Sequence, residues 1–315
     1  MLETAQHSYI TLLICTYNRA QQLGKLIESA LTQDAGESSY EILIVDNNSS
    51  DETNLVVDRF RKKSKNVRYL FEKKQGKSFA LQLALRHIKT EFYAIIDDDF
   101  ILPINYVSQL LKGFRDNPNA AYISGKVLPE WQTTAPDWLT NEHWSPLAIA
   151  DFGDKEFVVD LSNRICLLAC AFKTETVKSI GGYDTKLGVN ENQIGGTEDE
   201  EIAIRLWQND QFGVYLPNIW FNHIVSSDRC SKNYHRRWHI GHGMQRAVMK
   251  DAEFERSSYF FLGVPGHLYR ETLGHLFSWI GHILTGRTDK AFSHEIHLRF
   301  FQGFFKQRLQ TVRDK

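Results

Sequence analysis

Apolar residues recur with two different periods along the first half of the chain. Short unbroken runs, YITLLICT (9–16), YEILIVD (40–46), VRYLF (67–71) and FYAIID (92–97), read as buried strands. The stretches between and after them, 20–33, 51–63, 77–89 and 103–116, space their apolar residues as helices do. This alternation of strand and helix predicts an α/β fold built on a mainly parallel, doubly wound sheet. Such sheets bind ligands at the carboxyl ends of their strands. Three of the runs end directly in polar loops, CTYNR (15–19), VDNNSSD (45–51) and DDDF (97–100), so these loops are expected to meet in one crevice.

The pattern then changes. AAYISGKV (120–127) reads as a strand, and the Pro- and Trp-rich stretch 128–160 is too long for a turn, which suggests a lid or an acceptor-binding insertion. RICLLACAF (164–172) and VYLPNIWFNHIV (214–225) read as strands, and GGTEDEEIAIRLWQND (195–210) as a helix with Glu198 and Asp199 in its first turn. Acids there are favoured by the helix dipole, so capping alone would account for them. Near the end, Tyr269, Leu273, Leu276, Phe277, Ile280, Ile283 and Leu284 form a stripe at helical spacing, as do Phe292, Ile296, Phe300, Phe304 and Phe305. Residues 256–315 carry nine Lys or Arg against four Asp or Glu, and a basic amphipathic tail of this kind can lie on an anionic membrane surface. Packing on the rest of the chain or on a second subunit, making a homo-oligomer, is an equal claimant.

Composition narrows the function classes. With 315 residues, 42% of them hydrophobic, the chain can bury an active site. Its 37 basic and 38 acidic residues give no global attraction to nucleic acid, and nucleic acid is not an expected partner. Cys15, Cys166, Cys170 and Cys230 have no metal-ligand spacing and read as reduced thiols of a cytoplasmic protein. The N-terminus has no signal-peptide pattern, and the uncharged stretch 272–286 is too short to span a bilayer.

The stretch AIIDDDF (94–100) ends a buried strand in three adjacent carboxylates, Asp97, Asp98 and Asp99. Like charges this close repel, so something positive is expected beside them. With no Cys or His near in sequence, the hard oxygen donors suit Mg²⁺ or Mn²⁺, ions usually held by one or two carboxylates and substrate phosphates. That chemistry points to a nucleotide.

The ordered set ICTYNR, IVDNNSSD, KKQGKSFALQLAL, IIDDDF, SIGGYDTKLG, GTEDEEIAIRL and His223 resembles the family 2 glycosyltransferases of the GT-A fold, in particular those that build bacterial surface polysaccharides. The likeness spans about residues 8–225. It implies a GT-A domain over 1–225, with 128–160 as an acceptor or lid insertion, and a basic loop and helical extension over 226–315. It also implies an inverting, metal-dependent transferase that uses a nucleotide sugar. Carried over position by position, Thr16, Tyr17, Arg19 and Asp46 would hold the nucleoside. Asn47 stands where many relatives have a second carboxylate. Lys77 is the nearest cation for the diphosphate, since Ala80-Leu81-Gln82 replaces the Ala-Arg-Asn of many relatives. Asp97 and Asp99 match the DxD carboxylates, Asp97 toward the ribose or a metal-bound water and Asp99 on the metal. Asp98 is the middle position expected to be replaceable. His223 would add a metal or diphosphate contact, Asp199 would be the general base and Glu198 would bind the acceptor. Arg229 and Arg236, in the basic stretch 226–243, would belong to a mobile loop closing over the donor diphosphate or facing a lipid phosphate.

The sequence therefore reads as a cytoplasmic enzyme, peripheral on the inner face of the membrane if its tail meets lipid. It would move a sugar from a UDP-sugar to a hydroxyl of a glycan or lipid-linked glycan. Two rivals stay open. One is a sugar transferase acting on a polyprenyl phosphate, with GDP-mannose as donor; the other is a non-catalytic nucleotide-sugar or glycan-binding protein that keeps the fold.

Overall fold

The computed structural model describes residues 9–36, 39–188 and 194–314. The alternating half runs β1 (Ile10–Thr16), α1 (Ala20–Leu31), β2 (Tyr40–Asp46), α2 (Thr53–Arg61), β3 (Val67–Phe71), α3 (Lys77–His87) and β4 (Phe92–Asp97). It continues through β5 (Phe100–Ile101), α4 (Tyr106–Asp116), β6 (Tyr122–Trp131), β7 (Phe157–Val159), β8 (Ala171–Lys173), α5 (Thr174–Ser179), α6 (Glu198–Gln208) and β9 (Gly213–Val225). The remainder is α7 (Lys232–Met249), α8 (Ala252–Glu255), the short strands β10 (Phe260–Phe261) and β11 (Val264–Pro265), α9 (Gly266–Leu284) and α10 (Thr288–Arg313).

The main sheet has the order β3-β2-β1-β4-β8-β6-β9-β5, with β7 added on β9. β1 pairs in parallel with β2 and β4, and β2 with β3, so the predicted parallel strands form one half of the sheet. β8 runs antiparallel to β4 and β6, and β5 and β7 antiparallel to β9. Leu12, Leu13 and Ile14 of β1 are all fully buried, as expected of a strand covered on both faces. On α1 the buried residues Leu23, Leu26, Ile27 and Ala30 fall at i, i+3, i+4 and i+7, the spacing that turns one face to the sheet. Register then fixes the site: Thr16 lies opposite Asp46, and Cys15 opposite Asp97.

Two expectations are corrected. The run 164–172 is strand only at Ala171–Lys173, because Ala169 sits in the left-handed region (φ 47°) and the Leu168 carbonyl accepts from the Ser124 hydroxyl. An unbroken apolar run signals burial, and here burial is achieved without extension. The stretch 226–243, expected as a mobile loop, is helical from Lys232, with the Ser231 hydroxyl capping α7 by accepting from the Tyr234 N–H at 3.2 Å.

The described residues fall into two compact units. One is drawn from Met1–Glu130, Ala148–Lys186 and Glu198–Ile224, the other from Trp131–Leu147, Leu187–Thr197 and Val225–Lys315. The 128–160 stretch is thus shared between them. In the second unit α7 and α10 cross so closely that a Cβ at Gly303 would stand 1.9 Å from the Ile240 carbonyl oxygen, and one at Gly243 2.0 Å from that of Phe300.

Gly303→Ala is accordingly expected to lower stability by about 1–3 kcal/mol or more, since neither backbone can yield. Gly274→Ala on α9, with nothing within 4 Å of the added carbon, is expected to raise it by about 0.5–1 kcal/mol through helix propensity. Thermal melting of the two variants checks both signs.

Candidate active site

The first two polar loops are stitched together before any ligand is considered. Asn18 and Asn48 take left-handed φ values (52° and 68°), which asparagine tolerates better than most residues. The Asn18 side-chain carbonyl accepts from the Ser50 N–H at 2.7 Å, the Asn18 backbone N–H donates to Ser49 Oγ at 3.0 Å, and the Ala20 N–H donates to Asp51 Oδ2 at 3.0 Å. Tyr17 is left exposed at the rim of the first loop. At the end of β2, Asp46 accepts from the Ser49 N–H and from the Tyr69 hydroxyl, both at 2.8 Å. The Asn47 amide turns instead to the following loop, donating to the Lys74 carbonyl at 2.7 Å and accepting from the Gly76 N–H at 2.8 Å. It thereby holds the 72–76 turn that launches α3, with Gly76 at φ 135°.

The three carboxylates after β4 have separate partners. Asp98, expected to be the replaceable one, is the most deeply buried and accepts from Thr16 Oγ1 and Arg19 Nη1, each at 2.7 Å. Arg19 Nη1 also reaches Asp99 Oδ2 at 2.9 Å, and His223 Nε2 lies 3.2 Å from that same oxygen. Lys77 Nζ donates to Asp97 Oδ1 at 2.8 Å. Burial pushes the Asp98 carboxyl up to about 6, with the Asp99 charge adding to the rise and Arg19 opposing it. Burial likewise pushes the neighbouring Cys15 thiol up to about 12, so it sits among these charges as a neutral group. His223 is delivered by β9, whose pairing with β5 sets it opposite Phe100, the two rings meeting edge-on at 5.2 Å between centroids.

Glu198 and Asp199 open α6. Lys77 Nζ is 3.5 Å from Glu198 Oε1, so one ammonium stands between the acid cluster and the helix. Among the described residues Glu198 Oε2 is buried with no hydrogen-bond partner. A capping role would have satisfied that oxygen with a backbone N–H. Burial pushes the Asp199 carboxyl up to about 7, Lys77 pulling it down and Glu198 and Asp97 pushing it further up. A half-buried carboxylate poised near neutrality is suited to take up a proton.

The described residues gather no group of three or more His, Cys, Asp and Glu side chains around a metal position. Asp99 and His223 form a two-residue donor pair of carboxylate and imidazole. That set fits Mn²⁺ or Mg²⁺ when further oxygens come from a diphosphate. Arg229 and Arg236 lie in the second unit. Arg229 belongs to the turn before α7, its N–H donating to the Ser226 carbonyl, and Arg236 forms a two-pronged ion pair with Glu295 of α10 at 2.6 and 2.8 Å. Sequence reasoning missed Tyr69, which holds Asp46, and Gln82, whose Oε1 accepts from the Tyr183 N–H at 2.8 Å and so ties α3 to the GGYD turn. Strand alternation at Tyr69, two residues before the partner of Asp46, was the one available signal.

Known proteins share this architecture. Residues 11–166 match the family model described as glycosyl transferase family 2. A glucosyl-dolichyl phosphate glucuronosyltransferase of Haloferax volcanii is 23% identical over 217 residues, 68% of each chain. A GalNAc(5)-diNAcBac-PP-undecaprenol beta-1,3-glucosyltransferase of Campylobacter jejuni is 31% identical over 38% of each chain. Among solved structures, the mannosyltransferase PcManGT from Pyrobaculum calidifontis, in complex with GDP-Man and Mn²⁺, superposes with a TM-score of 0.63 at 18% identity, covering 96% of this chain and 88% of that one. S. aureus TarS with UDP-GlcNAc gives 0.54 at 15% identity, covering 93% and 92%. These likenesses establish the GT-A fold.

Replacing Asp98 by Ala would leave Thr16 and the inner side of Arg19 without their acceptor. A loss of about 1–3 kcal/mol is expected, moderated because Arg19 is partly open to water. Urea unfolding checks this, and a variant as stable as the parent would show that the buried carboxylate does not hold the loops.

Proposed function

For a chain that belongs through residues 11–166 to glycosyl transferase family 2, we propose an inverting, metal-dependent transfer of a sugar from a UDP-sugar to a hydroxyl of a glycan or lipid-linked glycan. The observation that carries this reading is the Lys77 ammonium, 2.8 Å from Asp97 and 3.5 Å from Glu198, which joins the acid cluster to the carboxylates of α6. Tyr17 would lie against the base, Asp46 would take a base N–H, and Thr16 and Arg19 would shape that pocket from behind through Asp98. Asn47 would act through the 72–76 turn. Asp97 and Lys77 would face the ribose and diphosphate. A Mn²⁺ or Mg²⁺ ion held by Asp99 and His223 would supply Lewis-acid neutralisation of the leaving diphosphate.

Asp199 would take the proton of the acceptor hydroxyl as its oxygen attacks the anomeric carbon on the face opposite the leaving group, with Glu198, through its unpartnered Oε2, orienting the acceptor. The relatives named for dolichyl phosphate and undecaprenol substrates support a lipid-linked acceptor. A second reading, sugar transfer from GDP-mannose to a polyprenyl phosphate, is favoured by one observation: the GDP-Man-bound mannosyltransferase superposes better than the UDP-GlcNAc-bound TarS. An acceptor phosphate needs no strong base, so Asp199 separates the two.

With nucleoside diphosphate release measured over a panel of UDP- and GDP-sugars and lipid-linked acceptors, Asp199→Asn is expected to lower kcat by about 10²–10⁴ while donor binding persists. Full turnover in that variant on a polyprenyl phosphate would move the assignment to the second reading. Because the base must be ionised, kcat/KM should rise with pH through about 7, where burial and Glu198 place the Asp199 carboxyl. Removing one of the like charges in Glu198→Gln should move this limb to lower pH; a limb that stays in place would mean that another group titrates.

A further inference from the structure

α9 is folded with its apolar side outward. Leu273, Phe277, Ile280 and Leu284 fall at i, i+4, i+7 and i+11, hence on one side of the helix. They are 51%, 70%, 40% and 81% exposed, and Leu268 is the one buried residue of the helix. The side that packs carries Leu268 at its start, in an apolar cluster with Phe301 and Phe304, and histidines further along. His275 and His282 each follow a row member by two positions, which turns them about 200° away from it. They meet α10 through His294, His275 Nδ1 lying 3.1 Å from His294 Nδ1 and the His282 and His294 rings stacking at 5.3 Å. A helix facing water does not usually line up four large exposed apolar side chains on one side, so the outer face of α9 suits an apolar surrounding.

The charges identify that surrounding. Residues 272–286 carry no charged side chain, and the exposed row is bracketed by the exposed cations Arg270 before it and Arg287 and Lys290 after it. Of the two acids nearby, Glu271 stands two positions before Leu273 and is turned about 200° from the row, and Asp289 lies 3.7 Å from the Lys232 ammonium. A second copy of α9 laid against the first would bring the cations together, Arg270 on Arg287 if antiparallel or on itself if parallel, with no acid within the row to offset them. A lipid surface with anionic headgroups accepts both features, the side chains entering the acyl boundary and the cations remaining at headgroup level. No helix of the described residues is long and apolar enough to cross a membrane, which leaves α9 lying in the surface plane. Next to its first turns the Tyr269 hydroxyl donates to the Phe261 carbonyl at 2.9 Å, holding the exposed Phe260, Phe261 and Leu262 of the β10–β11 hairpin there.

We infer that α9 docks the protein on an anionic lipid bilayer through the Leu273–Phe277–Ile280–Leu284 row. The inference stands apart from the catalytic reading, because it rests on the second unit alone.

The test is flotation of the full chain with vesicles of equal parts phosphatidylglycerol and phosphatidylcholine, and with phosphatidylcholine alone. The parent should float with the anionic vesicles and less with the neutral ones. Phe277→Ser with Leu284→Ser should cut the bound fraction about tenfold or more, since the two most exposed apolar side chains of the row no longer enter the acyl boundary. Both positions are exposed, so melting temperature and nucleotide binding should be unchanged, and those readings separate loss of docking from loss of folding or of the donor site. No flotation of the parent, or equal flotation of the double variant, would overturn the inference. A parent that does not float but is dimeric by sedimentation, with the double variant monomeric, would overturn it in favour of a second copy on the same face.

Discussion

Three adjacent carboxylates at the end of a buried strand repel one another, and the first unit is arranged around their compensation. Asp98 and Asp99 share the Arg19 guanidinium from the β1 loop, Asp97 has the Lys77 ammonium from the start of α3, and Asp99 has the His223 imidazole from β9. Each of these groups belongs to a different element, so the acid cluster ties the β1 loop, the start of α3 and β9 to the end of β4. The compensation is incomplete in a useful way. Asp98 and Asp199 are both pushed above the ordinary carboxylate range by burial, which means that this region gives up stability at neutral pH to keep charge where a ligand can use it.

Much of this architecture is legible in the sequence because burial on both faces leaves a long apolar run and burial on one helical face leaves a 3.6-residue period. β2, β3 and β4 lie where those patterns put them, and β1 within a residue. The same reasoning fails where an apolar run is buried without being extended, as at 164–172, and where a polar stretch is ordered by a cap and close glycine contacts, as in α7. The acid cluster predicts positive neighbours, but which cation meets which acid depends on the 2.7 to 3.5 Å distances that only folding sets. Asp98 illustrates the limit. In a row of three identical residues, nothing in composition or spacing says which side chain turns inward.

Asn47 and Gln82 are both engaged by backbone groups, Asn47 with the 72–76 turn and Gln82 with Tyr183. The Asn47 amide donates and accepts at once, which an ionised carboxylate could not do. In α9 the stripe announces a helix, and its period says nothing about which side faces the protein. His275 and His282, polar yet turned inward, settle that only once α10 is in place.

Asp99, with His223 beside it, would complete a metal and diphosphate site, and the proposed chemistry depends on that pair. The most direct measurement is calorimetric binding of UDP and of GDP, with and without Mn²⁺, to the parent and to Asp99→Asn. Binding of UDP that requires Mn²⁺ and disappears in Asp99→Asn is the expected result. Binding of either nucleotide that is indifferent to both Mn²⁺ and Asp99 would contradict the assignment and leave the acid cluster as a structural device.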